Sequence, residues 1–156
     1  MTESEPDFAI LLAAGWRALA DRLMAEMTAA DLGLMRPQYG YVIRAIAAED
    51  VSVNRLAELL GVTKQAASKL AEDMHAAGLI ERVTDPVDRR RLTLRLTATG
   101  ERVRALALAT SATIERELAA EVGAGAVRGL RAALMALVAK EGGLEDVLAK
   151  RARPVA

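Results

Sequence analysis

Residues 62–100 read VTKQAASKLAEDMHAAGLIERVTDPVDRRRLTLRLTATG, and their pattern is the most informative in the chain about its fold. Thr63 is a predicted N-cap, because a threonine hydroxyl can accept a hydrogen bond from the first turn of a helix. Apolar residues then recur at helical spacing as far as Gly78. Residues 79–84 and 91–96 have the composition and alternation of β-strands, with a charged turn between them. The stretch therefore predicts a helix followed directly by a two-stranded ribbon.

A second short helix is predicted immediately before this one. Ser52 is its predicted N-cap and Gly61 its predicted end. Two short helices that meet across a glycine-containing turn form a helix-turn-helix. With the ribbon acting as a wing, the sequence predicts a winged helix-turn-helix.

Longer helices are predicted on both sides of this region. An apolar stripe with a spacing of three or four residues covers residues 7–28, and Pro37 suits the first turn of a second helix. The stripe of that second helix consists of Tyr39, Val42, Ile43 and Ile46. Thr97 is predicted to cap a long helix, and a last helix ends near Gly142. The predicted fold class is mainly α with a small β-wing (α+β), in one domain over residues 1–156.

The composition excludes several classes of function. Cysteine is absent, which removes disulfides, thiolate metal sites and cysteine nucleophiles, and a single histidine makes a self-contained metal site improbable. There is no glycine-rich phosphate loop and no nucleophile elbow, so no enzyme, cofactor or metal is expected. The acidic start of the chain and the lack of a long apolar run predict no signal peptide and no membrane span. We therefore expect a cytoplasmic protein.

The charge is unevenly distributed although the chain is neutral overall. Residues 1–50 carry four Arg or Lys against eight Asp or Glu, whereas residues 51–104 carry ten against seven. Duplex DNA attracts concentrated positive charge. The middle third of the chain is therefore the part suited to a nucleic-acid partner.

The predicted helix after Thr63 presents polar side chains opposite its apolar stripe. Lysine and glutamine can bond to guanine and adenine in the major groove, and serine can bond to bases or phosphate. The candidate DNA-binding residues of this helix are Thr63, Lys64, Gln65, Ser68 and Lys69. A merely solvated face is the alternative for any single amphipathic helix.

The tip of the predicted wing is rich in arginine. Arg89, Arg90 and Arg91 are candidates for the minor groove, where narrow A·T-rich segments concentrate negative potential. Asp88 is expected to orient a neighbouring arginine, since a carboxylate facing phosphate would be repelled. A solubilising loop is the alternative when the tip is taken alone.

Four stretches of the chain resemble the MarR family of bacterial regulators. They are residues 62–70, 78–82, 85–90 and 94–100. The sequence Asp-Pro-x-Asp-Arg-Arg at the wing, followed by Leu-Thr-x-x-Gly, is far more specific than a generic helix-turn-helix. Two helices before the motif and two after it also resemble the family's order, so the similarity spans nearly the whole chain.

The resemblance implies a homodimer on pseudo-palindromic duplex DNA. Its dimerisation helices would be residues 7–30 and 98–148, and its DNA-binding region residues 36–97. The helix after Thr63 would enter the major groove, and Arg89 and Arg90 the minor groove. Lys69 stands where many relatives carry Arg, a change from a planar fork to a point charge, so the relatives' base preference does not carry over to this position.

The resemblance also implies a small aromatic or anionic effector bound between the dimer helices and the winged region. The candidate pocket residues are Trp16, Tyr39, Tyr41 and Arg44. Packing and surface roles are the alternative for each of them. The functional prediction is a repressor of nearby genes, and the rival prediction is a winged-helix module that binds protein and not DNA.

Overall fold

The computed structural model describes residues 6–32, 36–49, 51–84 and 92–143. Within these ranges the chain forms six helices and two strands. In chain order they are α1 (Phe8–Ala29), α2 (Pro37–Ala48), α3 (Val53–Leu60), α4 (Lys64–Ala76), β1 (Ile80–Thr84), β2 (Leu92–Leu96), α5 (Ala98–Val122) and α6 (Ala124–Lys140). The predicted fold class, mainly α with a small β-wing, is confirmed.

The helices begin at the caps that the sequence predicted. The hydroxyls of Ser52, Thr63 and Thr97 each accept a hydrogen bond from the backbone N–H three residues on, at 3.2, 3.2 and 3.1 Å. Gly61 ends α3 with a φ of 61°, in the left-handed region that glycine adopts without a steric penalty. These local signals set where α3 and α4 meet.

The strands pair as an antiparallel ribbon in which Ile80 lies opposite Leu96 and Thr84 opposite Leu92. Leu79, which was predicted to begin the first strand, precedes β1 and is buried. The backbone N–H of Leu94 donates to the carbonyl of Val51 at 2.7 Å. The segment before α3 is thereby fixed to the inner edge of the ribbon.

The core lies between α2, α3, α4, the ribbon and the first turns of α5. Leu56, Met74, Ile80, Leu94 and Val103 are among its fully buried side chains. Burying one such side chain contributes about 1.5–3 kcal/mol. Because this core receives residues from both α4 and the ribbon, it holds them in one fixed relation.

The terminal helices are much less buried. In the described ranges α6 buries no residue and α1 buries only Met27. Two ion pairs tie these helices to α5, namely Arg22 of α1 with Glu117, and Arg131 of α6 with Glu115 at 2.6 Å. None of the described helices is both long and apolar enough to cross a membrane.

Exposed apolar side chains are concentrated on these same helices. Apart from Leu92, the large apolar residues that are exposed within the described ranges are Phe8, Ile10, Leu11, Trp16, Leu108, Leu118, Val122, Leu130, Leu134, Met135 and Leu137. All eleven belong to α1, α5 or α6. Large exposed apolar surfaces are unusual on a soluble monomer.

Candidate nucleic-acid interface

The helix α4 lies with one side in the core and the other in solvent. Ala67, Ala71 and Met74 are fully buried on the inner side. The outer side carries Lys64, Gln65, Ser68 and Lys69, which we call the recognition face. Three of these four side chains are exposed, and Ser68 is half-buried. The structure thus brings the predicted major-groove residues together on one surface at the N-terminal half of α4.

A shallow, open depression lies along the recognition face. It is lined by Thr63, Gln65, Ala66, Ser68, Lys69 and Glu72. Four of these residues are sequence-predicted DNA contacts, and Ala66 provides a small, uncharged floor between them. Glu72 adds a carboxylate at the edge of the depression.

Lys69 is held by a carboxylate one turn further along α4. Its Nζ lies 2.8 Å from Oδ1 of Asp73, and Oδ2 of Asp73 lies 3.4 Å from Nη1 of Arg36, just before α2. The hydrogen bond that Lys69 donates to Asp73 raises the pKa of Lys69 and lowers the pKa of Asp73. Both groups therefore remain charged around neutral pH.

Glu72 makes a second set of polar contacts beside the first. The hydroxyl of Ser68 donates to Oε1 of Glu72 at 3.3 Å, and Nη2 of Arg82 lies 3.8 Å from the same oxygen. Arg82 belongs to β1, so this carboxylate joins the recognition helix to the base of the wing. Sequence reasoning did not identify these contacts of Glu72 and Asp73 with the side chains of the recognition face. The i, i+4 spacing of Ser68 with Glu72 and of Lys69 with Asp73 was the signal that could have identified these contacts.

The two strand arginines lie on opposite sides of the ribbon. Arg82 is paired with Leu94, and Arg95 is paired with Glu81, so alternation along the strands directs their side chains to different faces. Both arginines are exposed. The predicted wing-tip residues Asp88, Arg89, Arg90 and Arg91 lie outside the described residues.

The four candidate pocket residues are divided between core and surface. Tyr39 is only 3% exposed and belongs to the core, with the Arg36 guanidinium 6.0 Å from its ring centroid. Tyr41 is half-buried against the same core, Arg44 is exposed, and Trp16 is 48% exposed on α1. The Tyr39 ring therefore packs in the core, as its place in the apolar stripe of α2 predicted.

His75 has a structural contact at the end of α4. Its Nδ1 lies 2.9 Å from the carbonyl oxygen of Ile80, the first residue of β1, and can donate to it. Across the described ranges no cluster of three His, Asp or Glu side chains could hold a metal ion. His75 therefore ties the recognition helix to the ribbon.

A helix-turn-helix whose second helix leads directly into a two-stranded wing defines the class of winged helix-turn-helix proteins. Within that class, the profile of the MarR family matches residues 25–91, from the end of α1 to the wing. Residues 25–91 are therefore a winged helix-turn-helix of the MarR family, as the motifs predicted. A comparison with curated proteins finds no match.

Solved structures of the same fold extend the similarity beyond the matched region. The chain is 18% identical to MepR of S. aureus in a MepR–DNA complex, with a TM-score of 0.67, 85% of this chain covered and 98% of that chain. MepR bound to ethidium bromide gives 17% identity, a TM-score of 0.63 and coverage of 86% and 96%. The transcriptional regulator Tm0710 of Thermotoga maritima gives 21% identity, a TM-score of 0.58 and coverage of 83% and 90%. At these identities the likeness establishes the fold, including the flanking helices.

Proposed function

We propose that this chain is a homodimeric, sequence-specific regulator of transcription that binds double-stranded DNA at a pseudo-palindromic operator and represses nearby genes. The recognition face is the main observation that supports this proposal. It places two lysines, a glutamine and a serine on the outer side of the N-terminal half of α4, whose inner side is packed in the core. Such side chains on such a helix are suited to base edges in the major groove. The DNA complex of MepR, a protein of the same fold, supports this choice of partner.

The exposed apolar side chains of α1, α5 and α6 support the homodimer. A second copy of the chain is the occupant that would cover all three helices at once and leave α4 and the wing free. One recognition helix and one wing bury too little surface for strong specific binding, whereas two half-sites about 34 Å apart combine their contacts. The exposed apolar surface and the geometry of two half-sites both support the proposed dimer.

The proposal includes release by a small aromatic or anionic effector and a cytoplasmic site of action. The resemblance to the MarR family supports the effector, and ethidium binding by MepR shows that one protein of this fold accepts a flat aromatic molecule. A panel of phenolic and aromatic acids tested for thermal stabilisation addresses this part, since binding to the native dimer must raise its melting temperature. No shift across the panel contradicts the effector and leaves the DNA proposal intact.

DNA binding is tested with two duplexes of equal length, one carrying the region upstream of this chain's gene and one of random sequence. Affinity should be higher for the upstream duplex and should fall with salt at a slope of about −0.9 per phosphate neutralised. Lys64→Gln should weaken binding, whereas the matched control Lys140→Gln, in the last turn of α6, should not. A dimer that binds neither duplex contradicts the proposal and favours a winged-helix module that binds protein.

A further inference from the structure

The two lysines of the recognition face are in different electrostatic states. Lys69 is bonded to Asp73, whereas Lys64 makes no ion pair with any described residue. The Lys69 side chain is 72% exposed, but Asp73 is only 26% exposed and is also held by Arg36. The carboxylate is therefore the fixed partner, and it holds the flexible lysine.

This difference has consequences for how each lysine can meet DNA. A free lysine near a phosphate releases a bound counterion and so strengthens binding to any sequence. A lysine that is already paired with a carboxylate releases little counterion and so adds little of this sequence-independent affinity. Its ammonium has three N–H donors, of which Asp73 occupies one, so two remain for a base edge.

We infer that Asp73 is a positioning residue that keeps Lys69 from sequence-independent phosphate contacts and presents it to base edges. This inference rests on the proposed function and adds a source of specificity to it. The pairing lowers the affinity for DNA of any sequence, because one positive charge on each α4 no longer acts as a free cation. The gain is a larger ratio between specific and non-specific binding, which is the quantity that matters for a regulator among many competing sites.

The contacts of Glu72 support the same arrangement. Glu72 holds Ser68 and approaches Arg82, as Asp73 holds Lys69 and Arg36. Two hydrogen-bond donors thus contact each of the two carboxylates of α4, and all four donors are of types that can bind DNA.

The test is Asp73→Asn, which preserves shape and removes the negative charge. We expect affinity for the random duplex to rise about fivefold to tenfold per recognition helix at 0.1 M salt, and the salt slope to steepen by about 0.9 for each helix. Affinity for the upstream duplex should rise less, so the specificity ratio falls. The matched control is Asp21→Asn, which removes the same charge from an i, i+4 pair with Arg17 on α1 and should leave both slopes unchanged.

Repeating Asp73→Asn in a variant that lacks its cationic partners separates a positioning role from a general effect of charge. In a background that carries both Arg36→Gln and Lys69→Gln, adding Asp73→Asn should no longer steepen the salt slope, because both cations that it would release are absent. Persistence of the effect in that background, or an equal effect of Asp21→Asn, overturns the inference while the DNA proposal stands. Asp73→Asn with wild-type slopes on both duplexes also overturns it. Failure of the wild-type dimer to bind either duplex overturns the proposed function and this inference together.

Discussion

Gly100 packs directly on the backbone of Leu79. A Cβ at Gly100 would overlap the Leu79 carbonyl oxygen and approach Cβ of Leu96 to 3.3 Å. The same carbonyl accepts a hydrogen bond from the backbone N–H of Thr97 at 3.1 Å. The first turn of α5 is thereby fixed to the turn between α4 and β1.

Replacing Gly100 with Ala should destabilise the protein because the added methyl group meets backbone that cannot move away. Overpacking of this kind typically costs about 1–3 kcal/mol in the free energy of unfolding. The measurement is denaturant unfolding. Gly40→Ala is the matched control, since its added methyl meets nothing within 4 Å on α2 and should stabilise by about 0.5–1 kcal/mol. Equal effects of the two substitutions would contradict the packing argument.

Thr97→Ala should cost more than Ser52→Ala. The Thr97 hydroxyl accepts from the N–H of Gly100 and donates to the carbonyl of Gly78 at 2.6 Å, whereas the Ser52 hydroxyl caps only α3. Loss of a cap alone costs about 0.5–2 kcal/mol, and Thr97→Ala should exceed the Ser52→Ala value by about 1 kcal/mol. Thermal or denaturant unfolding compares the two, and a smaller effect at Thr97 would refute the second contact.

Stability should fall in acid partly through the pair between α1 and α5. The hydrogen bond from Arg22 lowers the pKa of Glu117 from its ordinary value of 4.5. A carboxyl whose folded pKa is depressed contributes stability above its unfolded pKa and loses it as the pH falls through the folded pKa. Glu117→Gln should therefore be less stable than wild type near neutral pH, with the difference vanishing well below pH 4.5.

The control for this pH dependence is Glu121→Gln on the same helix. Glu121 makes no ion pair with the described residues, so its variant should follow the wild-type curve of stability against pH. High salt should reduce the Glu117 effect, because both partners are partly exposed. A pH-independent difference between Glu117→Gln and wild type would exclude this pair as its source.

Polar substitution on α6 should separate the proposed dimer. Leu130 and Leu134 are exposed in the single chain and lie one turn apart. Changing both to Asn should weaken self-association at least tenfold by sedimentation, because it removes apolar surface that a second copy would bury. Arg128→Asn, on the same helix, should leave association unchanged. A double variant that remains a dimer would place the interface elsewhere.

Local signals in the sequence predicted most of the fold. Ser52, Thr63 and Thr97 act within one helical turn, so their roles follow from neighbouring residues alone. The contact of Arg36 with Asp73 could not be predicted, because it joins residues that only the packing of α2 on the core brings together. Tyr39 is the opposite case, since its place in the apolar stripe of α2 predicted burial and the structure agrees.

In the proposed complex, two copies of α4 meet adjacent turns of one duplex. Hydroxyl-radical footprinting of the wild-type protein on the upstream duplex measures this arrangement. Two protected segments are expected, whose centres lie about one helical turn, roughly 10 base pairs, or a whole multiple of it apart. A single protected segment, or none at protein concentrations where the dimer is fully formed, would contradict it.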